Sequence, residues 1–313
     1  MYQSMHLLIN SIDVNKERMI MTFRFGLNPL PWVLTPDGFE LSVPVLRRAF
    51  GEISQTPFVG IHADPPADLD ADGYRELLAE YGLVPAPGYF SADFADEAGK
   101  TVVEAAKRHA GVQAALGNTE AFVAAGIAPA RRNTPAAGHD ADGSRLQRVI
   151  DRVGAAAEAI TAEGVRPALH PHVGTWIETE PEVDSVLAGV PSTVLGFGPD
   201  TGHLTWAGMD AVAVMRRYAD RIAAVHVKDV RLGQAEEAKA AGADYNGSTR
   251  GPNQVWTEPG RGDVDLVGAL ATLPADFTGW VIVEVDVPEA PSNLESTQIS
   301  ARWVLDHCGP DAF

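Results

Sequence analysis

Short apolar segments alternate with longer amphipathic segments along nearly the whole chain, and this alternation limits the fold more than any other feature. Segments 23–27 and 58–62 each read as a buried strand and end at Asn-Pro or Asp-Pro turn signals. Between them, Val43, Leu46, Phe50 and Ile53 are spaced for one face of a helix. The remaining strands are predicted at 82–90, 119–125, 165–172, 193–197, 222–227 and 279–285. Eight strand–helix units predict a parallel α/β sheet, and their number favours a single closed (β/α)8 TIM barrel over an open doubly wound sheet.

The remaining helices are predicted at 70–81 (capped by Asp70 or Asp72), 97–116, 144–163 (capped by Ser144), 180–187, 209–218, 265–273 and 293–307. Two longer connections, 126–143 and 232–253, stand out. The first is poor in apolar residues, which fits either a lid over the barrel or a disordered loop, and the second is predicted to be helical at 235–241. Residues 1–21 lack the basic start and cleavage site of a signal peptide, so we expect a peripheral or frayed extension before a catalytic barrel at 22–313.

Composition excludes several classes of function. A formal net charge of −18 disfavours binding to nucleic acid or to an anionic membrane surface, since both are polyanions. The single cysteine, Cys308, allows no internal disulfide and fits a reducing compartment, so a cytoplasmic location is expected. No apolar run is long enough to span a membrane. The first strand is not followed by a G-x-G-x-x-G sequence, which argues against a nucleotide cofactor.

The chemistry of the chain is expected to centre on His170-Pro-His172, which ends the fifth predicted strand. Residues two apart in a strand point to the same side, so both imidazoles would face one cavity. The neighbouring prolines are unsuited to a helix interior and support a strand end. Such a pair predicts a metal site or a proton-transfer site, and the alternative is a hydrogen-bonded pair of histidines in the core.

Further polar side chains fall at the other predicted strand ends. In a (β/α)8 barrel, the carboxyl ends of the strands form the active-site face. The residues placed there are Asn28, Trp32, His62, His170, His172, Asp200, His203, His226, Lys228 and Glu284. Imidazoles and carboxylates together suit Mn²⁺, Mg²⁺, Co²⁺ or Zn²⁺. The structural alternatives are that Asp200 caps the following turn and that Glu284 forms an ion pair with Arg231 or Lys228.

Four motifs resemble those of the sugar-phosphate isomerase/epimerase superfamily, which has xylose isomerase-like barrels. They are the His-x-His-x-Gly-Thr strand at 170–175, Asp-Thr-Gly-His-Leu at 200–204, His-x-Lys-Asp at 226–229 and Gly-Trp-x-x-x-Glu at 279–284. Within the superfamily the chain is most similar to inosose (2-keto-myo-inositol) dehydratases, over roughly residues 23–305. Large subunits of C-glycoside deglycosidases are similar barrels.

The resemblance implies a role for each matching residue. The implied metal ligands are His170, Asp200, His226 and Glu284, with Mn²⁺ as the favoured ion, although most of the superfamily has a glutamate where His170 stands. The resemblance leaves open whether His170 or His172 binds the metal. The implied catalytic residues are His172 (as general base), His203 and Lys228, and Lys228 has the alternative of pairing with Asp229. The expected substrate-binding residues are Asn28, Trp32, His62, Thr175, Arg231 and Glu258, and Asn28, Trp32, His62 and Glu258 depart from the dehydratase pattern.

The expected activity is that of a divalent-metal-dependent lyase. It would remove the proton α to the ketone of a cyclic polyol or keto-sugar and eliminate a β-substituent. One alternative is the large subunit of a C-glycoside deglycosidase, which would require a small β subunit as partner. Others are a sugar isomerase or epimerase, and a ligand-binding barrel without catalysis. Without a β subunit, a homo-oligomer is expected.

Overall fold

The computed structural model describes residues 23–35, 38–96 and 99–313. The predicted N-terminal extension, 1–21, therefore lies outside the described residues. The strands are β1 (Arg24–Leu27), β2 (Leu34–Thr35), β3 (Gly38–Phe39), β4 (Gly60–His62), β5 (Val84–Ala86), β6 (Tyr89–Ala92), β7 (Glu120–Ala125), β8 (Arg166–Leu169), β9 (Gly196–Phe197), β10 (Val225–Val227), β11 (Asp229–Val230), β12 (Trp256–Thr257) and β13 (Trp280–Val283).

The helices are α1 (Leu30–Val33), α2 (Val43–Ile53), α3 (Ala71–Ala79), α4 (Gly99–Leu116), α5 (Pro129–Arg132), α6 (Gly143–Ala162), α7 (Glu180–Gly189), α8 (Thr201–Trp206), α9 (Ala211–Arg217), α10 (Leu232–Ala240), α11 (Tyr245–Arg250), α12 (Leu266–Leu270) and α13 (Asn293–Cys308), with 3-10 turns at Ala219–Arg221 and Pro310–Ala312. Each helix that the sequence predicts is present, and four short helices, α1, α5, α8 and α11, were not predicted. The helix predicted at 43–53 has the predicted bounds. Asp70 caps α3 as expected, whereas α6 is capped by Asp142 rather than by Ser144. Within the described ranges, no helix combines the length and the apolar character needed to cross a bilayer.

Parallel pairing closes the strands into a barrel, which confirms the predicted fold. One arc runs in the order β10-β13-β1-β4-β5 and the other in the order β6-β7-β8-β9. The arcs meet at β5 and β6, which are consecutive pieces of one barrel position. On the opposite side, parallel bridges join Phe197 to Ile222 and Asp200 to His226. The short antiparallel pairs β2–β3 and β11–β12 stand outside the barrel.

The third barrel strand, predicted as one segment at 82–90, is split in two at Pro87-Gly88. Gln113 fills the break, since its side chain accepts a hydrogen bond from the Gly88 amide and donates one to the Ala63 carbonyl, each at 3.0 Å. A Cβ at Gly88 would stand 2.2 Å from the Ala63 oxygen, so only glycine allows this close approach. The break leaves Tyr89 at the start of β6, below the mouth of the barrel.

An aromatic floor separates the barrel interior from the polar mouth. Phe122 on β7 is fully buried, and its ring centroid lies 4.2 Å from that of His226, 5.4 Å from that of His170 and 5.9 Å from that of His62. Below it, Trp280 and other apolar side chains fill the barrel. The larger core lies between the strands and the helices around them. Packing below therefore holds three histidines in fixed positions at the mouth.

The connection at 126–143, for which the sequence left open a lid or a disordered loop, contains α5 and is anchored by Arg131. This buried guanidinium contacts Glu178 at 3.0 Å and Glu182 at 2.6 Å. Glu178 also accepts a hydrogen bond from the Gly174 amide at 2.7 Å. The connection is thus tied to the turn that carries His172.

We expect Arg131→Leu to lower the free energy of unfolding by about 3–5 kcal/mol, because Glu178 would keep a buried charge without its partner. Denaturant unfolding of the purified variant measures this change. Arg132→Leu is the matched control, since the Arg132 side chain is 48% exposed and its nearest carboxylate lies at 3.9 Å. An exposed pair of that kind contributes about 1 kcal/mol or less. Equal losses in the two variants would contradict the prediction.

Candidate metal centre and active site

The polar side chains predicted at the strand ends do meet at the mouth of the barrel. The predicted strand 165–172 ends at Leu169, so His170 and His172 belong to the turn after β8 rather than to the strand. Asp200 follows β9, His226 lies in β10, and Glu284 directly follows β13. Because parallel strands point their carboxyl ends to one side, residues far apart in the chain converge there.

Three of these residues, His170, Asp200 and His226, offer ligand atoms that all lie within 4.8 Å of one another. Oδ2 of Asp200 is 3.9 Å from Nε2 of His170 and 3.8 Å from Nδ1 of His226. Oδ1 of the same carboxylate accepts a hydrogen bond from the His203 amide at 2.8 Å and caps α8, as the structural alternative predicted. Oδ2 is buried and has no hydrogen-bond partner in the described part of the chain.

Oδ2 of Asp200, which has no hydrogen-bond partner in the described ranges, shows whether a cation fits this group. Burial raises the pKa of Asp200 to about 7, an increase that the charge of Lys228 partly offsets. A buried carboxylate without a partner is costly, and a divalent cation would stabilise its charged form. Two imidazoles and one carboxylate are also a donor set that divalent transition metals prefer. The residues present therefore fit a divalent cation.

The hydrogen bond of His170 fixes which ring nitrogen is free. Its Nδ1 lies 3.1 Å from the carbonyl oxygen of Gly198, which can only accept, so Nδ1 carries the proton. The lone pair of Nε2 then faces Asp200. Metal-binding histidines typically donate their second nitrogen to a carbonyl in this way.

Glu284, the fourth predicted ligand, stands beside this group in a network of buried charges. Its Oε2 lies 3.3 Å from Nδ1 of His226, and its carboxylate accepts hydrogen bonds from Asn28 and Lys228. Lys228 also contacts Asp286 at 2.6 Å and lies 3.9 Å from Oδ2 of Asp200. Burial would raise the pKa of Glu284, but the charge and hydrogen bond of Lys228, together with the neighbouring His226 and His62, outweigh it and hold that pKa well below its usual range. The predicted ion pair of Glu284 therefore forms with Lys228.

His172 and His203 form a second pair of imidazoles, with ring centroids 3.7 Å apart. Nδ1 of His172 lies 2.7 Å from the Val173 carbonyl oxygen, so it carries the proton and Nε2 is the basic nitrogen. Nδ1 of His203 accepts a hydrogen bond from the Val173 amide at 3.3 Å, which leaves its Nε2 as the protonated nitrogen. Burial lowers the pKa of His172 to about 4, with a further contribution from the charge of Lys228. The pair thus offers one acceptor and one donor.

A cavity of about 600 Å³ opens above these groups. His170, His172 and Glu284 form part of its lining, together with Tyr89 and Tyr245. Its volume lies within the range of about 300–1,000 Å³ that is usual for small-molecule sites. We call this cavity the inner compartment.

A family model described as the xylose isomerase-like TIM barrel matches residues 39–307. The chain belongs to this family. An inosose dehydratase from Geobacillus kaustophilus is 26% identical over 304 residues, which cover 93% of this chain and 96% of that enzyme. An inosose dehydratase from Lactiplantibacillus plantarum is 36% identical over 146 residues, which cover 46% of this chain and 48% of that enzyme.

Among solved structures of this barrel type, the IolI protein with a bound zinc atom superposes with a TM-score of 0.67. The match covers 93% of this chain and 99% of that one at 16% sequence identity, so it shows the fold alone. The family match and the inosose dehydratase relatives confirm the resemblance that the motifs predicted.

Two of the expected substrate-binding residues of this xylose isomerase-like barrel line the inner compartment. His62 stacks on Phe122 and has its Nε2 3.4 Å from a carboxylate oxygen of Asp64. Asn28 lies against Glu284, while its Oδ1 accepts a hydrogen bond from the Leu30 amide at 3.1 Å. Both side chains therefore belong to the cavity wall.

The structure places the other expected substrate-binding residues away from that wall. Trp32 is buried in the core, where its indole N–H donates to Glu52 at 3.1 Å. Arg231 pairs with Glu289, at 2.6 and 2.7 Å, rather than with Glu284.

Thr175 and Glu258 hold loops near the site. The Thr175 hydroxyl donates to the His172 carbonyl at 2.7 Å and accepts from the Ile177 amide at 3.1 Å. The Glu258 carboxylate is fully buried and accepts a hydrogen bond from the Ala290 amide at 3.0 Å. Thr175 therefore fixes the turn that positions His172, and Glu258 fixes a loop behind the site.

Three residues at the site were missed by the sequence reasoning. Asp286 follows Glu284 by two positions. Side chains two residues apart in an extended chain point to the same side, so the sequence could have placed Asp286 at the site. Tyr89 was hidden inside a predicted strand that is split in the structure. Tyr245 comes from the second long connection, and its ring centroid lies 5.7 Å from that of His172. Nothing in the sequence connects Tyr245 with the site, because its position depends on how α11 packs.

Proposed function

We propose that the protein is a divalent-metal-dependent lyase that removes the proton α to the ketone of a cyclic polyol or keto-sugar and eliminates a β-substituent. The observation that carries this proposal is the unpartnered Oδ2 of Asp200 between two imidazoles, next to a neutral histidine with a free basic nitrogen. The similarity to inosose dehydratases along nearly the whole chain supports the same type of chemistry.

His170, Asp200 and His226 would hold the cation, with Glu284 beside them, and Mn²⁺ is the ion we favour. A divalent cation held there would polarise a substrate carbonyl and stabilise the negative charge that develops as the proton leaves. His170 is the ligand of the His-Pro-His pair, because its Nδ1 hydrogen bond to the Gly198 carbonyl leaves Nε2 facing Asp200.

His172 is the proposed general base. Its Nδ1–H is held by the Val173 carbonyl, so the lone pair of Nε2 is the one available to accept a proton. Its lowered pKa keeps the ring neutral at physiological pH. The half-buried ring packs against those of His203 and Tyr245 and lines the inner compartment.

His203 and Lys228 are the proposed hydrogen-bond donors to substrate oxygens. Nε2 of His203 carries a proton and has no acceptor within the ranges that the structure describes. Lys228 is fully buried and lies over the Trp256 ring, with its Nζ 4.5 Å from the ring centroid. Its position between carboxylates keeps it charged, because their negative charges outweigh the effect of burial and raise its pKa.

The proposal predicts that the protein with Mn²⁺ exchanges the α-proton of keto-inositol in D₂O and releases an unsaturated product. Exchange is followed by proton NMR and elimination by ultraviolet absorbance of the conjugated ketone. Exchange without elimination would favour an isomerase or epimerase instead. Absence of exchange with both keto-inositol and 3-keto-glucosides, at any metal loading, would reject the proposal.

A further inference from the structure

A second cavity, of about 660 Å³, adjoins the inner compartment and has no role in the chemistry above. We call it the outer compartment. Both cavities are bounded by the same six residues, which are Asn28, Leu30, Phe39, His62, Asp64 and Tyr89. The two compartments therefore lie side by side, with His62 among the residues between them.

The wall of the outer compartment is mainly apolar. It runs between α2, α3 and α4, and Leu46, Leu69 and Val112 contribute to its surface. Phe39 stands at the boundary with 71% of its surface exposed. An exposed aromatic side chain beside an apolar cavity is typical of a ligand site, because its burial by a ligand is favourable.

One polar group in the same lining lacks a partner. Nε2 of His109 on α4 is buried and has no hydrogen-bond partner among the residues in the described ranges. A carboxylate oxygen of Asp64 lies 3.4 Å from Nε2 of His62. Buried polar groups without partners are uncommon, so a ligand that carries a hydroxyl group would suit this wall.

The two compartments differ in chemistry. The inner one presents imidazoles and carboxylates, which suit a polyhydroxylated ring, whereas the outer one is mainly apolar, with Asp70, Arg108 and His109 among its polar lining residues. A single cyclic polyol bound in the inner compartment would leave the adjoining cavity empty.

We propose that the outer compartment binds an apolar, hydroxyl-bearing ring that the substrate carries as a substituent on its keto-sugar or polyol ring. This inference rests on the proposed function for the position of the sugar ring. It adds that the natural substrate has two parts, a polar ring at the metal centre and an aromatic or alicyclic ring beyond His62.

The test uses 2-naphthol as the probe and isothermal titration calorimetry of the full chain without substrate. We expect saturable binding to the wild-type protein and an affinity at least about tenfold lower in Val112→Trp, whose indole would fill the cavity. Ala71→Phe, on α3 at the opposite wall, is the second variant and is expected to weaken binding in the same direction. Ala114→Trp, on the exposed side of α4, is the matched control and should bind with wild-type affinity.

Absence of saturable binding to the wild type, or wild-type affinity in both cavity-filling variants, would overturn the inference. Circular dichroism establishes that each variant is folded before titration. The measurement needs neither metal nor turnover, so its outcome is separate from that of the α-proton exchange assay. A protein that binds 2-naphthol but exchanges no α-proton would contradict the proposed function and not the ring site.

Discussion

Asp200→Asn is expected to abolish metal binding and to lower kcat/KM for α-proton exchange by about a thousandfold or more. The loss follows from removing the only carboxylate within the His170–Asp200–His226 group, and with it several kcal/mol of charge stabilisation. Asparagine is nearly isosteric, so its side-chain oxygen can still accept the His203 amide that caps α8. The substitution therefore tests charge at the site with little disturbance of the fold.

Two measurements check this result. Elemental analysis after dialysis should give about one divalent ion per wild-type chain and a small fraction of that for the variant. Proton NMR in D₂O gives the exchange rate. Asp210→Asn is the matched control, because Asp210 caps α9 in the same manner at an exposed position. A variant at Asp200 that keeps its metal and its exchange rate would show that the carboxylate is only a helix cap.

His172→Ala is expected to lower the α-proton exchange rate by about 10²–10⁴-fold, the usual contribution of a general base, while metal content stays at the wild-type level. Metal content should persist because the ring of His172 lies apart from the ligand group, with its centroid 6.3 Å from that of His170. The turn should also persist, since Thr175 bonds to the backbone carbonyl of His172 and not to its side chain.

The combination of lost exchange and retained metal is what distinguishes a base from a ligand. His139→Ala serves as the control. The His139 side chain is exposed, and the contact of this residue with Arg131 is made by its backbone carbonyl, which the substitution keeps. Wild-type exchange in His172→Ala would remove the assignment as base. Loss of metal in the same variant would mean that His172, rather than His170, is the ligand.

The sequence by itself determined the architecture and the location of the site. Alternating periodicity predicted a parallel barrel, because strands buried on both faces need continuous apolar runs and their helices need only one apolar face. Once the strands were placed, the barrel rule put His170, Asp200, His226 and Glu284 at one end of the molecule. Those inferences need only local patterns in the sequence. The structure agrees with them, since its barrel strands pair in parallel and His170, Asp200 and His226 lie together.

Only the tertiary structure decided which hydrogen bonds the converging residues form. The distinction between His170 and His172 depends on which carbonyl each Nδ1 meets, that of Gly198 across to the next strand or that of the neighbouring Val173. Spacing in the chain carries no information about a hydrogen bond between strands. For the same reason, the sequence left open whether Glu284 pairs with Lys228 or with Arg231, and it did not indicate the contact between Glu284 and Asn28.

Packing decided the rest of the cavity wall. Trp32 looked accessible after the first strand, yet its indole is buried against α2, where Glu52 accepts its N–H. Tyr245 reaches the site because α11 folds back over α8, where its ring stacks on Trp206. The outer compartment exists because α2, α3 and α4 leave space between them, a property of three helices together. Hydrophobic periodicity specifies which face of each helix is buried, and the three-dimensional fit of those faces decides where a cavity remains.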